Sequence, residues 1–309
     1  MPTPLVVDTD TAADDCFALL IALLDPRADL RAITMVAGNV GFEQQVENAF
    51  LTLEVAGRPG GVPVHLGART PLVRPWVSAE DVHGDGVGGQ RRTGTHTPAD
   101  EHAVDALVRL AAEHAGRLTV VAIGPLTNIA LAVRRDPAFV TNVAELVIMG
   151  GSINGAGNIT PAAEYNVYVD PEAADVVLRA GFARVRMVTW DPVTLQGTVF
   201  GPERIAQIDA LGTTLSRFFV RANQATYDFD VADGIPGSTH PDSLSVLLAL
   251  DDSYVLDEGE YAVAVELRGE HTAGATVFDA RAAHRPVRAP RAVDGERFFT
   301  YVRDLLATR

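Results

Sequence analysis

The chain has 309 residues, enough for one large α/β domain or two smaller ones, and its 47% hydrophobic and 21% charged content is that of an ordinary globular protein. A formal charge of −15 without any basic stripe argues against a nucleic-acid partner and disfavours an anionic membrane surface. There is no Lys to serve as a catalyst, the single Cys16 cannot close an internal disulfide, and no basic-then-apolar leader or long apolar run points to export or a bilayer, so the cytoplasm is expected.

The apolar run Pro4-Leu5-Val6-Val7 ends in acid, and an apolar-periodic run follows over residues 16–24, which predicts a strand, a tight turn and a helix. Asp8 and Asp10 would leave the strand's carboxyl end on one face, while Asp14 and Asp15 would sit in the first helical turn, where free N–H groups favour anions. Four carboxylates this close repel: at an effective dielectric of about 20, a pair roughly 5 Å apart costs on the order of 3 kcal/mol. The helix end returns only about 0.3–1 kcal/mol per charge. A bound cation, an acid with a raised pKa, or both must offset the rest, and oxygen ligands favour Ca²⁺ or Mg²⁺ over zinc. Capping would account for one or two of these acids but not for four.

Residues 30–37 read as a buried strand ending in Gly38-Asn39, followed by an amphipathic helix over 42–56 and a short strand over 63–66. A Pro-rich loop with Trp76 leads to His83-Gly84-Asp85-Gly86-Val87-Gly88-Gly89, which neither follows a strand nor opens a helix, so a dinucleotide loop is a poor reading. A flap bearing His83 over a site and an ordinary surface loop are the two readings of that stretch. A helix over 102–114, a strand over 118–123, the turn Gly124-Pro125-Leu126-Thr127-Asn128, a helix over 129–135 and a strand over 146–149 ending in Gly150-Gly151 continue the alternation.

Beyond the polar stretch with Asn154 and Asn158, Glu164 and Asn166 stand two apart, so an extended segment would turn both to one side. One acid and two amides beside a strand end suit a hydroxyl-rich ligand; an Asn-stabilised loop is the plainer alternative. A helix over 171–180, a strand over 185–189, a helical stretch over 201–227 and a buried helix over 243–250 follow, with Asp242 at the last one's start, where capping alone would explain it. Late strands over 262–267 and 275–278 and a closing helix over 294–307 look like an antiparallel extension. The expected fold is one α/β domain over 1–309, Rossmann-like, with a mostly parallel sheet covered by helices on both faces and a ligand at the strands' carboxyl edge.

Taken together, Asp8-x-Asp10-x-x-x-Asp14-Asp15, the Gly124–Asn128 turn, Met149-Gly150-Gly151, Asn158 with Glu164-x-Asn166, and the late His240/Asp242 resemble the inosine-uridine preferring nucleoside hydrolases, in matching order from residue 5 to about 250. The resemblance implies the nucleoside hydrolase fold, a homodimer or homotetramer, and Ca²⁺ held by Asp10, Asp15, the main-chain carbonyl of Ile123 and Asp242. Ribose would be bound by Asp14, Asn39, Met149, Asn158, Glu164, Asn166 and Asp242, with His83 near the base. The implied reaction is hydrolysis of the N-glycosidic bond of a ribonucleoside, in nucleoside catabolism and purine or pyrimidine salvage. Its oxocarbenium-like state needs an activated water, negative charge near the sugar and help for the leaving base. Asp10 would be general base on a Ca²⁺-bound water and His240 the candidate acid for the base.

Two departures lie on the leaving-group side. The family commonly writes His and Asp side by side, whereas Pro241 here separates His240 from Asp242, and the flap between His83 and Val87 is short. Solvent, a side chain from residues 227–240, or a base stable as an anion could replace His240. Asp8-Thr9-Asp10-Thr11-Ala12 also resembles the start of haloacid-dehalogenase-type phosphatases, although these usually carry Thr or Val where Ala12 stands, and a Lys. A catalytically inactive ribose- or nucleoside-binding homologue is the third reading. Base preference is not written in the residues.

Overall fold

At the start of the chain, Leu5 and Val7 pack into one apolar core and Val6 into another, so the strand Thr3–Thr9 (β1) is covered on both faces. The computed structural model describes residues 1–308. β1 is followed by Asp14–Leu24 (α1), Ala28–Met35 (β2), Phe42–Val55 (α2), Val64–Leu66 (β3) and the single turn Glu80–His83 (α3). Next come Ala103–Glu113 (α4), Leu118–Ala122 (β4), Thr127–Arg135 (α5), Ala138–Asn142 (α6), Val143–Met149 (β5), Tyr165–Val169 (α7), Pro171–Leu178 (α8) and Val185–Val188 (β6). The last third holds Leu195–Gly197 (α9), Pro202–Asp209 (α10), Thr214–Ala232 (α11), Pro241–Leu250 (α12), Val255–Val265 (β7), Thr276–Asp279 (β8), Val287–Val293 (β9) and Gly295–Leu306 (α13).

The strands form one sheet of nine in the order β3-β2-β1-β4-β5-β6-β9-β7-β8. Pairing is parallel from β3 to β9, and antiparallel where β7 joins β9 and β8 joins β7. α1, α2, α11, α12 and α13 bury their apolar sides on one face, and α4, α5 and α8 on the other. The order reverses between β1 and β4, which leaves a crevice outside their carboxyl ends where no crossover covers the edge. α12 is buried almost all round and packs on α1, so its N-terminus is delivered to that crevice.

Several expectations change. The two late strands read from the sequence do form an antiparallel extension as β7 and β8, but β9, unread in the sequence, joins parallel to β6 and carries them. Residues 201–227 are not one helix: Leu211-Gly212-Thr213 separates α10 from α11, with Thr213 and Ser216 forming a reciprocal cap. The segment carrying Glu164 and Asn166 is helical rather than extended, with Glu164 as the N-cap of α7.

Candidate active site

The acidic opening forms a turn so sharp that Ala13 takes φ 40°, a region that L-residues seldom adopt. Its N–H is held by the carbonyl of Gly86, 2.7 Å away, which ties the glycine-rich flap to the turn. The four aspartates then diverge. Asp8 is fully buried in the sheet, where Thr34 Oγ1 donates to its Oδ1 at 2.6 Å and Asn128 Nδ2 at 2.8 Å. It joins the ends of β1, β2 and the start of α5, does not line the crevice, and has its Oδ1 held by two donors, a structural placement rather than that of a phosphatase-type nucleophile. Burial raises its pKa to about 7.

Asp10 and Asp15 are buried directly beneath the floor of the crevice, behind Asn39, and do not themselves line it. Asp10 Oδ2 accepts from Asn39 N at 2.9 Å, while its Oδ1 is buried with no hydrogen-bond partner. Asp15 accepts from Thr9 Oγ1 at 2.7 Å, from Asn39 Nδ2 at 3.0 Å and from Ala12 N at 3.2 Å. Burial first, then the Asp15 charge, pushes Asp10 well above the usual carboxylate range; burial lifts Asp15 to about 7. Asp242, in the first turn of α12, is raised by burial and then by the charges of Asp15, Asp14, Asp10 and Glu164, so all of these carboxylates share one field.

Asp14 stands in the first turn of α1 but serves another helix. Its Oδ2 accepts from Asp242 N at 2.8 Å and Ser243 N at 3.2 Å, and its Oδ1 accepts from Ser243 Oγ and meets His240 Nδ1 at 3.1 Å. It therefore caps α12, the partner of α1, and supplies the negative charge that a helix N-terminus favours. Glu164 is similarly tied, accepting from Asn166 N at 2.8 Å, Gly151 N at 2.9 Å and Val167 N at 3.1 Å. Burial nevertheless lifts it to about 7. Asn166 Nδ2 reaches the carbonyls of Ile123 at 3.0 Å and Met149 at 3.3 Å, and Asn158 Oδ1 accepts from Tyr165 N at 2.8 Å.

Above this floor is a pocket with about 820 Å³ of space open to solvent. Asp14, Asn39, Ile123, Met149, Asn158, Glu164, Asn166 and Asp242 all line it, as does His83 from the flap, so residues from widely separated strand ends meet in one cavity. His83 Nδ1 pairs with Thr226 Oγ1 at 3.0 Å, and desolvation pulls its pKa down to about 4, so the ring is neutral near pH 7. His240 corrects the sequence expectation: it is fully buried and does not line the pocket. Its Nδ1 meets Asp14, its Nε2 pairs with Ser238 Oγ at 2.9 Å, and the ring lies against Phe200 and Phe219. With both nitrogens engaged behind Asp14, it cannot touch a leaving base.

The far end of the pocket was not read from the sequence. Trp190, Phe229, Ile235 and Val82 make its apolar walls, and Asp230, Asp233, Thr226 and Thr239 supply the polar atoms. Apolar residues on α11 and in loops carry no local signal of shared lining; only the polar cluster before α12 hinted at it. Among the described residues, no three His, Cys, Asp or Glu side chains already form a closed metal shell.

The inosine-uridine preferring nucleoside hydrolase model matches residues 5–300. The chain belongs to that family. Nucleoside hydrolases are N-ribosyl hydrolases, which agrees with a pocket that pairs a polar, acidic floor with apolar walls. The chain is 34% identical over 283 residues to the pyrimidine-specific ribonucleoside hydrolase RihA of Salmonella paratyphi C, covering 90% of this chain and 89% of that one. It is similar to the plant nucleoside hydrolase PpNRh1 at TM-score 0.91 and 31% identity, covering 100% of both chains. A purine-preferring ribonucleoside hydrolase from Gardnerella vaginalis matches at TM-score 0.91 and 29% identity, covering 99% of this chain and 100% of that one. Relatives of this chain thus carry names of opposite base preference.

Proposed function

We propose that this chain hydrolyses the N-glycosidic bond of ribonucleosides to ribose and free base, with Asp10 as general base toward the attacking water. The observation that carries the reading is the buried Oδ1 of Asp10: no N–H or hydroxyl group of the described residues donates to it, and the group beside it is a second buried carboxyl, Asp15, behind the pocket-lining Asn39. A buried carboxylate oxygen left unpaired costs free energy unless a ligand or ion completes it. The surrounding donors fit Ca²⁺: burial first, and for Asp10 and Asp242 then the charge of Asp15, raises these carboxyls, and with the Ile123 carbonyl they make an all-oxygen set suited to a hard divalent ion. When bound, Ca²⁺ would supply positive charge that acidifies a water and neutralises the carboxylates.

The remaining steps belong to side chains. Asn39, Asn158, Glu164 and Asn166, with Asp14 and Asp242, would hold the ribose hydroxyls and place negative charge under the ring as its carbon–nitrogen bond lengthens. Asp10 would take the proton of the water attacking the anomeric carbon. The apolar walls would hold the base and exclude water from it.

The test is ribose release from a panel of purine and pyrimidine ribonucleosides, with and without a chelator, for the wild type and Asp10→Ala. Turnover is expected to vanish on chelation and return with Ca²⁺, and Asp10→Ala is expected to fold while losing roughly 100-fold or more in kcat. Unchanged turnover in Asp10→Ala refutes its role as base. Tight nucleoside binding without any reducing sugar would mean a catalytically inactive binder.

A further inference from the structure

We propose that Asp230, near the end of α11, is the acid that protonates the leaving base, taking the role that the placement of His240 rules out. The inference rests on the nucleoside hydrolysis argued above and concerns the opposite end of the same pocket.

The titratable groups in and around the pocket differ in whether they have a proton to give. His240 is walled off behind Asp14. His83 reaches the pocket, but a ring pulled down to about 4 is neutral at working pH, and neutral imidazole has no proton acidic enough to give. Glu164 spends its oxygens on three main-chain N–H groups at the ribose end. The Tyr165 hydroxyl donates to Val77 O at 2.8 Å, and burial raises its pKa further. Asp14 caps α12, and Asp242 belongs to the acidic floor. Asp233 is exposed at the rim.

Asp230 differs from all of these. It is only 4% exposed yet lines the pocket next to Phe229 and Ile235. Its Oδ2 accepts from Thr239 N at 3.0 Å and Thr239 Oγ1 at 3.1 Å, which fixes the carboxyl plane and reserves that oxygen as acceptor. Among the described residues none hydrogen-bonds to Oδ1, so a proton on the carboxyl would sit there. Burial raises the pKa to about 6; the two Thr239 bonds and His240 lower it, and Asp233 raises it. His83 lines the same pocket, paired with Thr226 one turn before Asp230 on α11. A base filling the pocket would dry the carboxyl further and favour its protonated form.

The step balances without any co-reactant. The glycosidic carbon–nitrogen bond breaks, its electron pair stays on the base, and the Asp230 proton passes to a ring nitrogen or carbonyl oxygen of that base. The water oxygen bonds to the anomeric carbon and its proton goes to Asp10. Solvent exchange through the open pocket resets both carboxyls, and the net reaction is nucleoside plus water to ribose plus base.

The experiment compares the wild type, Asp230→Asn and Thr239→Val on two substrates: a ribonucleoside, and p-nitrophenyl β-ribofuranoside, whose nitrophenolate leaves without a proton. Asp230→Asn is expected to lose roughly 100-fold or more in kcat on the nucleoside and to keep near wild-type turnover on the nitrophenyl riboside. The wild-type kcat/KM on the nucleoside should fall as pH rises past about 6, and this limb should be missing in Asp230→Asn. Thr239→Val removes a donor that favours the carboxylate, so it should move the same limb to higher pH while sparing the carboxyl itself. Full nucleoside turnover in Asp230→Asn, or equal losses on both substrates in a folded variant, would overturn the proposal. A wild type inert toward both substrates would instead overturn nucleoside hydrolysis itself, so the two failures are distinct.

Discussion

Glu164 illustrates how a single residue carries both structure and function. It is 2% exposed, caps α7 with three main-chain N–H bonds and lines the pocket. Those bonds favour the carboxylate, but burial outweighs them and lifts the pKa from 4.5 to about 7. A folded-state pKa above the unfolded one means a contribution that is fully present below about pH 4.5 and is lost as pH rises through about 7. A shift of that size amounts to about 3 kcal/mol. Glu164→Gln, which cannot ionise, should therefore show a shallower loss of unfolding free energy between pH 5 and pH 8 than the wild type, by up to that amount with a chelator present. Parallel pH profiles from denaturant titration would contradict the burial-driven shift.

At this scale the sequence was most informative where a residue's chemistry is set by its place at a strand end: Asp10, Asp15, Asn39 and Asn166 all meet at the crevice. It was blind to direction. Asp14 looks like a residue of its own helix, yet the main-chain groups it caps lie more than 220 positions away. His240 has the right chemistry for an acid, but its side chain turns inward to Asp14 and Ser238, and nothing local in Thr239-His240-Pro241 reports that turn.

Among the elements, the glycines ending β2 and β4 matter through the space they leave. A Cβ on Gly38 would overlap the Asp10 carboxylate, and one on Gly124 would come within 2.6 Å of Asp10 Oδ1 from the other strand. The two strand ends can thus close on Asp10 only because both are bare at that point. Gly38→Ala is expected to displace Asp10 and lower nucleoside turnover at least about tenfold, with an overpacking cost of roughly 1–3 kcal/mol. Gly41→Ala is the control, since its Cβ would meet only Glu80 Oε1 at 3.8 Å. Equal turnover in the two variants would show that the Asp10 position tolerates the shift. Periodicity made the alternation of strands and helices legible, but short elements defeated it: α7 spans only Tyr165–Val169, too few residues to show a helical period. β9 holds Pro290 and four charged or small residues among its seven, so it lacks the continuous apolar run that marks the central strands.

For the whole molecule, the acidic floor sets a condition on stability. Asp8, Asp10, Asp15, Asp242 and Glu164 are all buried with raised pKa values in a chain of formal charge −15; the hydrogen bonds they accept do not outweigh burial, so protonation or a cation must relieve the rest. An ion that binds the folded state and not the unfolded one stabilises it by mass action, about 2.7 kcal/mol at a concentration 100 times its Kd. For a chain of this size that corresponds to a rise in Tm of roughly 5–10 °C. Thermal unfolding near neutral pH should therefore shift upward and saturate as Ca²⁺ is added to chelated protein, and the shift should shrink in Asp10→Ala, where a proposed ligand is gone. It should also fade toward pH 4, where protonation of the same carboxylates removes both their repulsion and their affinity for a cation. A Tm indifferent to Ca²⁺ across that range would mean that the carboxylates are held protonated rather than by a cation, and the base at Asp10 would then have to lose its proton before it could act.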